Sequence, residues 1–408
     1  MSETNAEITS PVAIADLDQL LTAMIQSAEG ISDLLFVVGK PPQTEVHGRL
    51  KKYEAEPVLN SDRIEGLARA IIAGRPRLTK DLAETGSCDC SYSLGEISRF
   101  RVNIYRQNGH YAMVLRRLQS KVPSLESLKM APVFHEIIKE KTGLIFVTGA
   151  TGSGKTTTLA AMLNEVNLKQ EAHIVTLEDP IEFLHPHQQA TFSQRELGRD
   201  FYSFVDGLRA ALRQAPKIIF VGEIRDRETM EIALTAGETG HVVYSTLHTI
   251  SAGQTINRIL GMFSKDEEQQ VRERLANSLR YIVSQRLVPK IGGGRALVTE
   301  LMGSSLRSRE AIILGENENR RLSDIIESGN VAGWHSFEQS LLGAFENDLI
   351  TEETAMLYCT NKPTMHQRLD AAKKRLETSR VNRIGLKMSS EPKPAMTPPP
   401  LAGGNPHA

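Results

Sequence analysis

The sequence has few cysteines and no long apolar run. Its three cysteines, Cys88, Cys90 and Cys359, are too few for a disulfide framework, and a Cys-Asp-Cys pair supplies only two of the four ligands that structural zinc requires. We therefore expect ordinary reduced thiols, as in the cytosol. No apolar run approaches the roughly 20 residues that span a bilayer. The segment from Met1 to Pro11 lacks the basic-then-apolar order of a secretory signal.

The sequence also lacks an excess of charge of either sign. Lys and Arg together number 48 and Asp and Glu 49, so the formal net charge is −1. This balance argues against a protein that binds nucleic acid over its whole surface, and no direct nucleic-acid partner is expected. With 408 residues, of which 40% are hydrophobic and 24% charged, the chain has the composition of a soluble globular protein with room for two domains.

One glycine-rich segment stands out. Residues 149–156 read Gly-Ala-Thr-Gly-Ser-Gly-Lys-Thr, after the apolar run 144–147 and before a stretch with helical apolar spacing. Strand, glycine-rich turn and helix form the context of a phosphate-binding P-loop, in which backbone N–H groups and the helix dipole face the phosphates. The lysine reaches the β- and γ-phosphates and the following hydroxyl holds Mg²⁺. The predicted ATP-binding residues are Gly149, Ala150, Thr151, Gly152, Ser153, Gly154, Lys155, Thr156 and Thr157, with Thr156 also a metal ligand.

Two acidic segments follow apolar strands of the same region. The run 218–221 is followed by Gly-Glu-Ile-Arg-Asp, which places Glu223 where a Walker B carboxylate binds Mg²⁺. We expect a water molecule between the two, because this ion keeps several of its waters. The preceding strand ends in the acidic cluster 178–182, Glu-Asp-Pro-Ile-Glu, which needs a cation nearby if it is buried. Glu182 is the predicted general base that activates the attacking water. Both glutamates are assigned to the catalytic set.

Histidines and arginines complete the predicted site. His241 and His248 stand at the two ends of the apolar run 242–247, where their N–H groups would sense the γ-phosphate. We assign His248 to the catalytic set and His241 to the nucleotide-binding set. Arginines cluster earlier in the chain, and those predicted to contact the nucleotide, in trans if the first domain meets a neighbouring P-loop, are Arg99, Arg101 and Arg116.

The pattern of the chain changes between segments. Residues 1–13 are polar and expected to be disordered, and 14–118 predict a small mixed α+β domain with a hairpin across Asn108-Gly109. A linker, 119–131, leads to 132–370, where strands alternate with helices and predict an α/β fold with a mostly parallel sheet and a helical end. The charged and then proline-rich segment 371–408 is expected to be disordered.

Taken together, these motifs resemble the secretion-ATPase superfamily, and most closely its type IV pilus retraction ATPases, the PilT-like group. The P-loop, the acidic segment 176–182, the run 208–213, the Glu223 segment and the histidine segment 239–249 occur in that family's order. The resemblance implies a RecA-like P-loop NTPase core behind a small α+β PAS-like N-terminal domain. It also implies ATP hydrolysis with Mg²⁺ in a homohexameric ring, which drives an inner-membrane pilus platform protein from the cytoplasmic face as a peripheral partner.

The resemblance has one departure that concerns the output of the motor. The retraction group's Ala-Ile-Arg-Asn-Leu-Ile-Arg-Glu helix becomes 308–315, which keeps Arg309 and has Leu314 in place of the second arginine. An accessory retraction ATPase or a secretion-system assembly ATPase therefore remains an alternative. Extension and export ATPases, the nearest competitors, usually have a longer N-terminal region and a four-cysteine zinc module, whereas this chain has only three cysteines. A RecA-like nucleic-acid translocase and a nucleotide-gated scaffold without turnover are the alternatives from other classes.

Overall fold

The computed structural model describes residues 11–118, 121–329 and 333–388. The disorder expected for residues 1–13 and for the proline-rich segment falls largely outside these ranges, on residues 1–10 and on those after 388. Residues 11–13 correct that expectation, because the first helix already begins at Pro11. Within the described residues the chain divides into two units, one formed by residues up to 287 together with 299–336, and one by 288–298 together with the residues from 337 onward.

The first unit begins with an antiparallel sheet covered by helices. Its strands lie in the order β3-β2-β1-β6-β5-β4. Phe100, Val102 and Ile104 alternate along one strand and point into a core with the N-terminal helix, whereas the residues between them lie on the opposite, polar face. The elements are α1 (Pro11–Gln26), β1 (Ile31–Phe36), β2 (Gln43–Val46), β3 (Arg49–Lys52), α2 (Ser61–Ile72), α3 (Pro76–Thr85), β4 (Ser87–Leu94), β5 (Ser98–Gln107) and β6 (His110–Leu118).

The predicted hairpin between the last two of these strands is confirmed. β5 and β6 pair antiparallel from Arg99 opposite Leu118 to Gln107 opposite His110. Asn108 and Gly109, which connect them, both have positive φ angles, as the tight turn favoured by right-handed strand twist requires. The two cysteines of β4 are free and buried. Burial raises the pKa of Cys88 to about 11 and that of Cys90 to about 12, so both are unreactive thiols.

The same unit continues into the predicted α/β fold. Its sheet has the order β13-β12-β7-β11-β10-β8-β9, and the pairs from β12 to β9 are parallel. The elements are α4 (Phe134–Ile137), β7 (Gly143–Thr148), α5 (Lys155–Lys169), β8 (His173–Glu178), β9 (Thr191–Glu196), α6 (Phe204–Ala211), β10 (Ile218–Val221), α7 (Arg227–Glu238), β11 (Val242–Leu247), α8 (Ala252–Leu260), α9 (Glu268–Ser278), β12 (Leu279–Pro289), β13 (Arg295–Gly303), α10 (Leu306–Leu314) and α11 (Leu322–Ser328).

Sequence patterns indicate the central strands of this sheet and miss the outer ones. The runs predicted as strands correspond to β7, β8, β10 and β11, which are buried and therefore almost uninterruptedly apolar. The edge strand β9 reads Thr-Phe-Ser-Gln-Arg-Glu and is only partly buried. β12 carries polar residues at its centre. Neither shows an apolar run or a clean alternation, so periodicity alone does not indicate them.

The second unit has a small core of its own. Val288, Phe337, Leu341, Met365 and Leu369 pack together there. Its helices are α12 (Phe337–Glu346), α13 (Glu352–Tyr358) and α14 (Lys362–Met388). The last helix corrects an expectation, because disorder was expected from residue 371 and α14 continues to Met388. Its Ala, Lys, Arg, Leu and Glu residues are strong helix formers, and after Pro363 in its first turn no proline occurs before the C-terminal proline-rich segment. Among the described residues no helix is long and apolar enough to cross a membrane.

The helix that follows the P-loop offers a matched test of this packing. Leu163 of α5 is 1% exposed in the core under the sheet, whereas Leu168 on the same helix is 45% exposed. We expect Leu163→Ala to lower the free energy of unfolding by about 2–5 kcal/mol because it leaves a cavity, and Leu168→Ala to lower it by less than about 1 kcal/mol. Denaturant unfolding of both variants measures the two losses, and equal losses would contradict this assignment of the core.

Candidate active site

The carboxyl ends of the central strands meet at one edge of the parallel sheet. Thr148 of β7 lies opposite Leu247 of β11, and Val221 of β10 lies between Ser245 of β11 and Leu177 of β8. The segments that leave these strands are therefore neighbours. They are the P-loop, the histidine segment, the Glu223 segment and the acidic cluster, in that spatial order. Ligands of such sheets bind at this edge.

The P-loop is a tight turn whose backbone can only be built with glycine at key positions. Gly149 has a φ of +147°, and a Cβ there would approach Ser153 Oγ to 2.5 Å and the Gln285 carbonyl oxygen to 2.6 Å. Gly154 is left-handed and precedes Lys155, the first residue of α5. Ser153 Oγ is buried and makes no hydrogen bond. The turn thus directs amide groups, a buried hydroxyl and a helix N-terminus to one point, which suits an anionic phosphate.

Lys155 lies at the centre of this site and faces two carboxylates. Its ammonium group donates to the carbonyl oxygens of Gly149 at 2.9 Å and Ala150 at 3.1 Å. Burial lowers its pKa, and the nearby carboxylates of Glu223 and Glu182 oppose that effect. Two glutamates from separate loops therefore lie within electrostatic range of the same lysine.

Glu223 has one satisfied oxygen and one unsatisfied oxygen. Its Oε1 forms an ion pair with Arg225 Nη2 at 2.5 Å. Its Oε2 is buried without a hydrogen-bond partner, and His248 Nε2 lies at a long 3.5 Å from it. A buried carboxylate oxygen that is left free in this way fits a hard divalent cation or a donor supplied by substrate. His248 is thus beside the predicted metal ligand.

The acidic cluster divides into residues with different surroundings. Glu178 is buried, accepts hydrogen bonds from Thr176 Oγ1 at 2.8 Å and Gln194 Nε2 at 3.1 Å, and has its pKa raised by burial to about 7. Burial also raises the pKa of Asp179, and Arg101 opposes this. The cations near the cluster therefore include Arg101 of the N-terminal sheet, which acts on Asp179, and Lys155, which acts on Glu182.

His241 does not lie where the sequence analysis expected it. β11 runs from Val242 to Leu247, so His241 precedes its amino end and His248 follows its carboxyl end. A strand of this length separates its ends by roughly 20 Å, and the P-loop of the same chain lies at the carboxyl end. His241 Nδ1 instead contacts the carbonyl oxygen of Ala236 at 3.2 Å. The idea that both histidines flank one phosphate site within the chain is wrong, because opposite ends of a strand reach opposite edges of the sheet.

The three predicted arginines share the polar face of the N-terminal sheet. Arg101 and Arg116 are cross-strand neighbours. Arg116 donates to Asp33 at 2.9 Å, and Arg99 Nη2 lies 3.6 Å from Glu196 in a buried pair. Of the three, Arg101 is exposed without an ion pair of its own among the described residues.

Two residues that sequence reasoning missed support the site from the outer strands. Gln285 of β12 donates to Thr158 Oγ1 of α5 at 2.7 Å, and its carbonyl oxygen packs against Gly149. Glu196 at the end of β9 accepts a hydrogen bond from the Ile181 amide at 3.2 Å, next to Glu182. The sequence offered one weak signal, the polar segment Thr-Phe-Ser-Gln-Arg-Glu of β9, the next strand after the acidic cluster. Without a clean alternation of polar and apolar residues, such a segment reads as a loop.

Gly149 gives a direct test of the P-loop geometry. We expect Gly149→Ala to weaken ATP binding at least ~10-fold, because the added methyl group displaces Ser153 and disrupts charge-assisted contacts to phosphate. Gly39→Ala is the matched control, since Gly39 also has a positive φ and a Cβ there meets nothing within 4 Å. Calorimetric titration with ATP measures both, and wild-type affinity in Gly149→Ala would contradict the proposed cradle.

Glu178 makes the stability of the fold depend on pH. Its folded pKa of about 7 lies above the ordinary 4.5, so between these values the folded chain binds more protons and stability falls as the pH rises. The loss is complete above pH 7 and amounts to at most about 3 kcal/mol. Glu178→Gln removes it, so the melting temperature of this variant should gain on the wild type at pH 8 relative to pH 5. The same difference at both pH values would contradict the assignment.

Comparison with known proteins agrees with this geometry. Residues 88–384 match the family model described as Type II/IV secretion system protein. The type IV pilus retraction ATPase PilT of Pseudomonas aeruginosa is 40% identical over 340 residues, which are 83% of this chain and 97% of that protein. The type IV pilus ATPase PilU of the same organism is 36% identical over 344 residues, 84% of this chain and 88% of that protein.

Solved structures show the same relationship at the level of the fold. The crystal structure of the pilus retraction motor PilT with bound ADP superimposes with a TM-score of 0.79 at 37% identity, and covers 86% of this chain and 98% of that one. The Legionella pneumophila ATPase DotB gives a TM-score of 0.73 at 29% identity, with 88% of this chain and 97% of that one covered. By its motifs, its site and these relatives, the chain belongs to the Type II/IV secretion system protein family of ATPases, in the PilT-like group.

Proposed function

We propose that this chain is the subunit of a homohexameric motor that hydrolyses ATP to power type IV pilus retraction, and with it twitching motility. The observation that supports the proposal best is the pair of carboxylates, Glu182 and Glu223, which follow two neighbouring strands and lie within electrostatic range of the P-loop lysine. A site that only binds nucleotide has no need of two acidic groups beside the phosphates. The relatives named for pilus retraction supply the output.

The proposed chemistry assigns one task to each group. The amides of residues 149–157 and the Lys155 ammonium hold the phosphates of ATP. The Thr156 hydroxyl and the free oxygen of Glu223 would hold Mg²⁺, which neutralises charge on the β- and γ-phosphates when bound. Glu182 accepts a proton from the attacking water. His248, whose Nε2 lies beside Glu223, donates a hydrogen bond to the γ-phosphate.

An arginine from a neighbouring subunit completes the proposal. Arg99 is paired with Glu196, and Arg116, although exposed, is paired with Asp33, whereas Arg101 is exposed and has no ion pair among the described residues. Arg101 is therefore the arginine best suited to reach the nucleotide of another subunit, where a guanidinium group stabilises charge in the transition state. His241 lies at the far edge of its own sheet, so any role for it toward nucleotide also concerns a neighbouring copy.

The proposed assembly is a ring at the cytoplasmic face of the inner membrane. In it, residues 14–118 form the N-terminal domain and 132–370 the ATPase domain, joined by 119–131. The motor acts on a platform protein that is embedded in the membrane. The ring itself is peripheral to the membrane and transmits force to this anchored partner. Nucleic acid has no part in this proposal, in keeping with the near-neutral charge of the chain.

A second output is favoured by a specific observation in α10. This helix holds Arg309, whose guanidinium contacts Asn277, whereas Leu314 at the other end is 60% exposed where the retraction group has its second arginine. The alternative is an accessory retraction or secretion-system assembly ATPase with the same chemistry. Restored twitching in a pilus-bearing strain that lacks its retraction ATPase supports retraction. Hydrolysis by the chain without restored twitching supports the alternative.

The assignment of the base is tested by turnover. We expect the wild-type chain to hydrolyse ATP and Glu182→Gln to lose at least ~100-fold in kcat, the scale of general-base removal, with ATP still bound. Glu228→Gln, which changes an exposed glutamate at the start of α7, is the control and should keep its rate. Light scattering on the same samples should give the mass of six chains. Full activity of Glu182→Gln would reject this glutamate as the base.

A further inference from the structure

One buried carboxylate connects the N-terminal sheet to the loop that carries the proposed base. Glu196 ends strand β9 and is 4% exposed. Its Oε1 accepts a hydrogen bond from Ser91 Oγ of β4 at 2.5 Å, and its Oε2 accepts one from the backbone amide of Ile181 at 3.2 Å. Ile181 is the residue before Glu182. A single side chain therefore bridges two elements that are otherwise far apart in the sequence.

The backbone of Glu196 is itself held rigidly. Its amide donates to Asp200 Oδ2 at 2.8 Å, and the amide of Leu197 donates to the carbonyl oxygen of Glu178 at 2.8 Å. Arg195 closes the same turn by donating to the carbonyl oxygen of Asp200. These hydrogen bonds fix the backbone from which the Glu196 carboxylate extends. The contacts that can change are therefore those between the carboxylate and the N-terminal sheet.

The charge of Glu196 makes this bridge sensitive to position. A buried carboxylate is stable only with a cation and hydrogen-bond donors around it. The cation is Arg99 of β5, 3.6 Å away, whose own pKa burial lowers while Glu196 opposes the effect. Arg99 Nη1 is buried with no hydrogen-bond partner, so the pair is not fully satisfied. A shift of the sheet by about 1 Å changes such contacts from bonded to unbonded.

We propose that Glu196 is a positioning residue that couples the N-terminal sheet, through Ser91 and Arg99, to the loop that holds Glu182. When the sheet is seated, both carboxylate oxygens are occupied and the Ile181 amide is fixed, so Glu182 points at the water. When the sheet moves, the carboxylate loses Ser91 and Arg99 and releases the loop. The inference rests on the proposed role of Glu182 and adds the contact through which domain position controls it.

The test uses the full-length chain with ATP and compares two serines of one strand. Ser91 contacts Glu196, whereas Ser93 on the same face of β4 is exposed. We expect Ser91→Ala to lower kcat about 3-fold or more with little change in KM, and to speed hydrogen exchange at the Ile181 amide. Ser93→Ala should change neither. Glu196→Ala should lower kcat at least ~10-fold. Glu196→Gln, which retains an acceptor for Ile181 and a partner for Ser91 but loses the charge that faces Arg99, should recover part of it.

The outcomes are separable from those of the proposed function. Hydrogen exchange at Ile181 reports the link without any turnover, so it tests the coupling even if Glu182→Gln remains active. Identical exchange and identical kcat in Ser91→Ala and Ser93→Ala would overturn the proposal. A Glu196→Ala chain with a lowered melting temperature but unchanged kcat would overturn it as well, because the residue would then be structural only. Non-additive loss in Ser91→Ala with Glu196→Ala is the expected sign of one shared contact.

Discussion

The site depends on the parallel alignment of buried strands, because that alignment is what brings four separate segments to one edge. β7, β11, β10 and β8 are adjacent in the sheet, so the loops that follow them are neighbours even though the P-loop after Thr148 and the histidine segment after Leu247 are far apart in the sequence. The apolar side chains of the strands supply the free energy that holds this edge together. The polar groups at the edge form a site of largely buried ionisable side chains, among them Lys155, Glu178 and Glu223, and one oxygen of Glu223 has no hydrogen-bond partner.

Incomplete pairing has a common form across the site. The Ser153 hydroxyl, the Oε2 atom of Glu223 and the Nη1 atom of Arg99 are each buried without a hydrogen-bond partner. Buried polar atoms are almost always satisfied in folded proteins, so their concentration here marks groups whose partners arrive with substrate or with a neighbouring chain. The bridge through Glu196 fits this view, since it links Arg99, whose Nη1 has no hydrogen-bond partner, to the loop of the proposed base. In this view the Glu196 carboxylate links the position of the N-terminal sheet to the catalytic loop.

The parts of the fold and of the site that could be predicted from the sequence are those encoded by contiguous motifs. The P-loop, Glu223 and the acidic cluster are contiguous motifs at the ends of apolar strands, and the fold and the resemblance to a family of ATPases followed from them. His241 was misplaced because two residues that bracket a strand look equally close to a site until the direction of the strand is considered. β9 and β12 were missed because their polar residues contact other elements, as Glu196 contacts Ser91 and Gln285 contacts Thr158. Such contacts join residues more than a hundred positions apart, and no local pattern encodes them.

The central claim is that one edge of the sheet binds ATP between Lys155, Glu223 and Glu182. A crystal structure of the chain with Mg²⁺ and a non-hydrolysable ATP analogue tests it most directly. The account predicts that the Lys155 ammonium leaves the carbonyl oxygens of Gly149 and Ala150 for the phosphates, that Glu223 lies within the shell of the metal, and that Glu182 faces the γ-phosphate. A nucleotide bound elsewhere, or one bound in the P-loop with Lys155 still on its carbonyl oxygens and Glu182 turned away, would contradict it.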